Sequence, residues 1–442
     1  MVHRRTSVFV SVTALAGAML LAAPAATADR DRDGGTAQDE YVAEDVAAEA
    51  GLAAGSRKSW TSTPVDFDND GDEDVWIGYH GRGGKLWRNN GVGHYREVRT
   101  DAWPAANRAG KTIDRHDCDW ADVDGNGRKD AYCTTGRFLR NVVKFGRDNE
   151  LWLQRRNGTF RDVANPRGIG DVCGRGRYVE FLRANDDKWP DLFVGNERPR
   201  NVRDACNRRG NDLPDERSKL FINKDGEGFR YAPDFLPVGP GPGARCAETL
   251  DYDGDGWTDL LLCRDKLEEP ALYRNRAGSG FARVPVRGLG LDKPVFDATA
   301  TQLDDDGHAD IVTASLNGFG YHLGRGEAGF VPWQPVGEDG LGGSGRSVAA
   351  GDADGDGRTD VYGVVGNAGR SNPDDIVFRQ DDAATQPLGF TRIAAPPANG
   401  AADQVTALDR LGNGRASFLV QNGYGRLATA GPVQLVRLRR AP

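Results

Sequence analysis

The chain has 442 residues, 38% apolar and 28% charged, with 59 Gly and 22 Pro; that is enough apolar content for a large folded core and too much for a disordered polymer. Lys and Arg number 57 against 65 Asp and Glu, a net charge of −8, and no basic block forms a groove for phosphates. Nucleic acid is therefore excluded as the expected partner.

Residues 1–28 read as an export leader: Arg4 and Arg5, an apolar run from Ser7 to Ala23, then the small-residue processing site Ala26-Thr27-Ala28. The run is at the short limit for a membrane anchor, and no other stretch is apolar enough to cross a bilayer. The mature chain is expected to begin at Asp29, with a flexible segment to residue 40, and to be secreted to the extracellular space, free or loosely held at a surface. Six cysteines in an exported chain are read as disulfides.

A short acidic motif then recurs. D-F-D-N-D-G-D-E-D starts at Asp66, D-V-D-G-N-G-R-K-D at Asp122, D-Y-D-G-D-G-W-T-D at Asp251 and D-A-D-G-D-G-R-T-D at Asp352. Oxygen-bearing side chains fall at positions 1, 3, 5 and 9: Asp66, Asp68, Asp70, Asp74; Asp122, Asp124, Asn126, Asp130; Asp251, Asp253, Asp255, Asp259; Asp352, Asp354, Asp356, Asp360. Gly at position 6 permits a sharp turn, and the backbone carbonyl at position 7 (Asp72, Arg128, Trp257, Arg358) adds a further oxygen. A hard cation takes six to eight oxygens at about 2.3–2.6 Å, and carboxylates crowded together without one repel, so these four loops are assigned to calcium. An EF-hand needs Glu at position 12, where this chain has Ile77, Cys133, Leu262 and Gly363. Strand-like runs follow each loop instead.

Three copies are degenerate. Gln302, Asp304, Asp306, the His308 carbonyl and Asp310 keep an oxygen at each position, which makes a weaker fifth calcium loop. The copy at Arg183 has cations at positions 1 and 6, Arg183 and Lys188, whose charges are expected to stand in for a metal. The copy at Asp409 has Leu411 and Ser417 at positions 3 and 9 and is expected to keep the turn without the ion.

Loop starts at 66, 122, 183, 251, 302, 352 and 409 give intervals of 50 to 68 residues, the length of a four-stranded propeller blade. Leu86 and Tyr95, Leu151 and Phe160, Leu220 and Phe229, Leu272 and Phe281 mark the later strands of a unit, with turns such as Asn90-Gly91 and Asn157-Gly158 between them. Asp162-Val163-Ala164 with Gly168-Ile169 closes one unit, and an orphan copy, Asp45-Val46-Ala47 with Gly51-Leu52, precedes the first loop. The last unit stops after its third strand, near Val433–Leu438. The expected fold is all-β: one seven-bladed propeller of four-stranded antiparallel blades over residues 41–442, closed by the N-terminal strand; a row of independent modules is the alternative. In this register Cys118 faces Cys133 and Cys246 faces Cys263 across hairpins, while Cys173 and Cys206 flank the third loop. Six cysteines allow fifteen pairings, so connectivity stays open.

With D-x-D-x-D-G-x-x-D at four loops and L-W-R-N-N-G from Leu86, the sequence resembles the FG-GAP/VCBS repeat family, which includes the propeller of integrin alpha chains. The resemblance implies calcium loops joining the first two strands of each blade on a lower face, with partners on the opposite face. The longest connection there, from Gly195 to Lys219, is rich in arginine, and Gly136–Asn149 adds Arg137, Arg140, Lys144 and Arg147. Together they suggest an acidic polymer, against the plainer reading of solvated loops.

Catalytic signatures are sparse: His80, His94, His116, His308 and His322 form no H-E-x-x-H, there is no G-x-S-x-G, and Gly110-Lys111-Thr112 lacks the earlier glycine of a phosphate loop. His116 beside Asp117 is the pair nearest to a catalytic site, and ordinary strand hydrogen bonding is the plainer account. Two functions remain: a secreted, monomeric binding module for an extracellular glycan or protein with structural calcium, or a polysaccharide lyase or hydrolase whose acid and base come from separate blades.

Overall fold

The computed structural model describes residues 41–52, 59–79, 82–99, 102–103, 113–136, 148–171, 174–197, 217–238, 243–264, 268–287, 289–291, 294–337, 344–366, 374–383, 386–397, 402–423 and 433–441. Strand β1 (Tyr41–Asp45) precedes six complete blades. The first is β2 (Ser59–Val65), β3 (Asp74–Tyr79), β4 (Arg82–Arg88) and β5 (Arg96–Glu97). The second is β6 (Arg115–Ala121), β7 (Asp130–Thr135), β8 (Glu150–Gln154) and β9 (Phe160–Asp162). The third is β10 (Gly176–Leu182), β11 (Asp191–Asn196), β12 (Lys219–Lys224) and β13 (Gly228–Tyr231). The fourth is β14 (Ala244–Leu250), β15 (Asp259–Arg264), β16 (Ala271–Asn275) and β17 (Phe281–Val284). The fifth is β18 (Val295–Thr301), β19 (Asp310–Ser315), β20 (Gly318–His322) and β21 (Gln334–Pro335). The sixth is β22 (Ser344–Gly351), β23 (Asp360–Gly366), β24 (Ile376–Asp382) and β25 (Gly389–Ala394). The last three strands, β26 (Gln404–Leu408), β27 (Ser417–Gln421) and β28 (Gln434–Arg440), form a sheet in the order β1-β28-β27-β26.

The seventh blade is thus completed by the N-terminal strand, as its unit length requires. Tyr41 pairs with Arg440 and Asp45 with Val436, antiparallel, and Glu44 holds both Arg437 (2.5 Å) and Arg439 (2.7 Å). Closing the ring leaves no open blade for edge-to-edge association. Second strands such as β3, β7, β11 and β19 are buried along their whole length, which accounts for their near-continuous apolar runs. Apolar clusters fill the space between neighbouring blades. Between the first two, Trp76, Trp103, Trp120, Trp152 and Phe160 pack together, and the fully buried Arg115 lies against Trp103 and Trp152 with Glu150 at 2.6 Å.

Cys118 and Cys133 are register partners and are bonded, as are Cys246 and Cys263. Cys173 and Cys206, and the arginine-rich connections 198–216 and 137–147, lie outside the described residues. Among the described residues no helix is long and apolar enough to cross a membrane.

Candidate functional site

Each acidic loop joins the first strand of a blade to the second, and the turn is built by its own first residue. The Asp66 carboxylate accepts the N–H groups of Asp70 and Gly71, both at 3.1 Å; Asp122 does the same for Asn126 and Gly127, Asp251 for Asp255 and Gly256, and Asp352 for Asp356 and Gly357. Glycine at position 6 sits at positive φ, +89° at Gly71, where other residues are strained. Asp409 makes the same two bonds to Asn413 and Gly414, so the seventh loop keeps the turn although positions 3 and 9 are lost.

Five sets of carboxylates converge: Asp66, Asp68 and Asp70; Asp122, Asp124 and Asp130; Asp251, Asp253 and Asp255; Asp304, Asp306 and Asp310; Asp352, Asp354 and Asp356, each with oxygens within 4.8 Å of one another. The fifth loop thus also brings three carboxylates together, through positions 3, 5 and 9, where the Asp66, Asp251 and Asp352 loops use positions 1, 3 and 5. In four loops an arginine from the third strand or its hairpin pairs with positions 3 and 5: Arg88 with Asp68 and Asp70, Arg274 with Asp253 and Asp255, Arg325 with Asp304 and Asp306, Arg379 with Asp354 and Asp356. Arg88 and Arg325 take the Oδ2 atoms, and the buried Asp68 Oδ1 and Asp304 Oδ1 are left without a hydrogen-bond partner, as is Asp124 Oδ1 in the second loop. Buried, unpaired carboxylate oxygens beside other carboxylates are the donor set a divalent cation satisfies. Each arginine pairs with both of these carboxylates of its loop and so fixes their orientation.

Position 9 has another task. Asp74, Asp130, Asp191, Asp259, Asp310 and Asp360 are fully buried at the start of their strands. Asp74 Oδ2 accepts from Phe67 N–H (3.2 Å) and Oδ1 from Asn89 N–H (2.7 Å), and the other five repeat this clasp. Burial pushes Asp74, Asp130, Asp259 and Asp360 up to about 7, and Asp191, in the third loop, equally to about 7; the shift comes from burial at this position, and the two N–H bonds of the clasp oppose it. Asp74, Asp259 and Asp360 lie outside the converging sets. At position 7 the Arg128 and Arg358 side chains donate Nε–H to the Gln154 and Gln380 carbonyls, and Arg358 also pairs with Asp356 of its own loop.

In the third loop the cations do not replace a metal. Arg183 pairs with Asp186 at 2.8 Å and lies over Trp257, Lys188 lies over the Trp189 ring, and Asn185 and Asp187 bond to each other. Arg183 and Lys188 are both exposed, with their charges spent on Asp186 and on the tryptophan faces rather than on positions 3 and 5.

The opposite end of the innermost strands carries a second site. The residue six positions before each loop lines one cavity of about 300 Å³: Trp60, His116, Arg177, Arg245, Phe296, Arg346 and Asp403, one from each blade. Six strand residues place this mouth about 20 Å from the loops. Glu197 binds Arg175 (2.9 Å) and Arg177 (2.8 Å), Asp403 binds Arg346, and Arg177 and His116 both pack on Trp60. His116 Nε2 lies 3.4 Å from Asp114, not beside Asp117, so the neighbouring pair in sequence is not a pair in space. The sequence reading missed the ring, although its fixed offset from the loops was there to be counted.

Below the mouth, all seven innermost strands line a cavity of about 320 Å³ containing Asp117, Asp119, Glu180, Glu248 and Asp297. Four of these cap the free edge of the next blade: Asp117 accepts from Val179 N–H, Asp119 from Phe181, Glu248 from Ala300 and Asp297 from Val348. Burial raises Asp117 to about 7, Asp119 to about 6 and Glu248 to about 8, the last helped by Asp297. These acids satisfy edge N–H groups that no strand covers.

The sequence matches the FG-GAP-like repeat family over residues 66–133, 251–313 and 302–363. With seven four-stranded blades in a closed ring, the protein is a β-propeller that carries FG-GAP-like repeats, a fold that generally serves as a binding module. No curated protein matches it. Similar solved structures include an Agrocybe aegerita lectin, described by its specific recognition of non-reducing terminal N-acetylglucosamine (15% identity, 83% of this chain and 86% of that one, TM-score 0.46). Another is BBS1N in complex with ARL6DN (11% identity, 89% and 94%, TM-score 0.49).

Proposed function

We propose that this protein is a secreted binding module in which calcium stiffens one face of the ring and an extracellular glycan or protein is held on the other. The observation that carries the reading is the separation of the two sites: unpaired carboxylate oxygens in the loops at one end of the innermost strands, and a mouth of guanidinium, imidazole and aromatic groups at the other. Calcium in the Asp66, Asp122, Asp251 and Asp352 loops, and more weakly in the Gln302 loop, holds the first strand of a blade against the second without touching a ligand at the mouth. The leader read in residues 1–28 and two disulfides support an oxidising, extracellular setting.

The test is depletion of the purified mature protein from solution by a panel of polysaccharides, cell walls and extracellular proteins, with calcium and with chelator. Selective, calcium-supported depletion is expected. Absence of depletion by every member would overturn the reading.

A further inference from the structure

Six of the seven innermost strands break register at one level. The breaks fall between Arg115 and Asp117, Gly176 and Tyr178, Ala244 and Cys246, Val295 and Asp297, Gly345 and Ser347, and, two residues wide, between Ser59 and Ser62. The residues skipped are those that line the mouth: His116, Arg177, Arg245, Phe296, Arg346 and, in the first blade, Trp60. A β-bulge takes a side chain out of the pleat's alternation and re-aims it. Repeated around the ring, it turns one chosen side chain per blade into a single cavity, at the expense of a ladder bond in each. Structural packing alone does not call for this, because the cavity is left unfilled.

The cavity also has a polarity. Arg177 is neutralised by Glu197 and Arg346 by Asp403. Arg245 alone of the three has neither ion pair nor hydrogen bond among the described residues; its guanidinium lies 4.9 Å from the Phe296 ring centroid. Its charge reaches Asp297 below it without forming an ion pair, and Asp297 already accepts from Ser347 Oγ (2.5 Å) and Val348 N–H (3.2 Å). A guanidinium on an aromatic face keeps its N–H fork free, and that fork matches a carboxylate. The two neighbouring ion pairs offer fixed donors and acceptors for hydroxyls. A volume of about 300 Å³ is at the low end for ligand pockets and suits one or two sugar rings. An acidic peptide would set further carboxylates against Glu197 and Asp403, whereas a uronic acid brings one carboxylate and several hydroxyls.

We propose that the channel mouth binds a uronic-acid residue of a glycan, with Arg245 receiving its carboxylate. This rests on the binding-module reading and narrows its ligand. The experiment is calorimetric titration of the whole mature protein with an oligoglucuronate and with the same oligosaccharide after reduction of its carboxyls to alcohols. The acid form is expected to bind at least tenfold more tightly, Arg245→Gln to abolish that preference, and Arg245→Lys to restore part of it. Equal binding of the acid and reduced forms overturns the proposal, a comparison the unmodified protein decides even if a variant misfolds. A preference that survives in folded Arg245→Gln overturns it too. Binding of a neutral glycan or of oligoglutamate in place of the uronate overturns the ligand class and leaves the binding module standing; failure of every polymer and protein in the panel removes both.

Discussion

Asn89, at the end of the third strand of the first blade, donates its side-chain amide to the Arg410 carbonyl of the last blade at 2.9 Å, joining residues 321 apart in sequence. It is one of a series: Asn223 reaches Val123 O (3.0 Å), Asn275 reaches Ala184 O (3.0 Å) and Gln380 reaches Leu303 O (2.8 Å), each linking one blade to the loop of the blade before it. Asn89→Ala leaves the Arg410 and Glu73 carbonyls without this donor inside a buried site, at a cost of about 1–3 kcal/mol. Denaturant unfolding should show that loss for Asn89→Ala and almost none for Val92→Ser, whose side chain is 71% exposed on the same hairpin. Equal midpoints for the two variants would refute the clasp.

The acids of the channel predict a pH dependence. Glu248 is raised from its ordinary value of 4.5 to about 8, chiefly by burial and then by the Asp297 carboxylate. The folded state therefore holds this proton where the unfolded chain releases it. Its contribution to stability is complete below about pH 4.5 and is lost as pH rises through about 8. Glu248→Gln keeps an acceptor for Ala300 N–H and removes the titration. Measured in chelator, so that metal binding does not oppose the trend, the variant should be more stable than the parent at pH 9 by about 1 kcal/mol, after allowance for solvent screening of a half-buried group, and no more stable at pH 4. A constant difference across that range would mean the carboxyl is not the titrating group.

How much of this was legible depended on whether a feature repeats in residue type or only in position. The loops, the seven units and the closing strand at Asp45 could be read because Asp, Gly and the turn residues recur at fixed spacing. Both described disulfides followed from the same register. The Asn89 clasp lay inside the L-W-R-N-N-G run, but its use as a bond to another blade could not be read, since Arg410 is brought near only when the ring closes. The mouth was hidden for a different reason. Its positions repeat six residues ahead of each loop, yet Trp60, His116, Arg177, Arg245, Phe296, Arg346 and Asp403 do not repeat one residue type as the loops do. Variation at a fixed structural position is what a ligand site on a symmetric scaffold looks like, and a search for similar residues passes over it.

The disulfide between Cys118 and Cys133 closes a segment of 15 residues that contains the second acidic loop. Replacing both cysteines with alanine frees that segment in the unfolded chain, and a loop of this length corresponds to about 3 kcal/mol in the chain-entropy account. The double variant should unfold at a lower temperature than the parent, with a smaller deficit when calcium is saturating, since metal bound across the same loop holds the same two strands. An unchanged deficit in calcium and in chelator would show that bridge and ion act on different parts of the fold.

Calcium itself should stabilise the ring, because an ion bound only by the folded loops adds stability that grows with its concentration. Chelation is expected to lower the melting temperature, and an unchanged melting curve would count against metal in the loops. The arginines sharpen the test. Arg274, on β16, holds Asp253 at 2.5 Å and Asp255 at 3.1 Å, so Arg274→Gln leaves every proposed ligand in place and removes only what orients two of them. A weakening of about tenfold or more in that loop is expected from loss of such an outer partner, read by calorimetric titration against Asp251→Ala, which should lose one equivalent of calcium altogether. Arg183→Gln, in the loop whose carboxylates do not converge, should leave calcium content unchanged. If Arg274→Gln instead bound calcium more tightly, the arginine would be a competitor of the ion, and the orienting role assigned to it would be wrong.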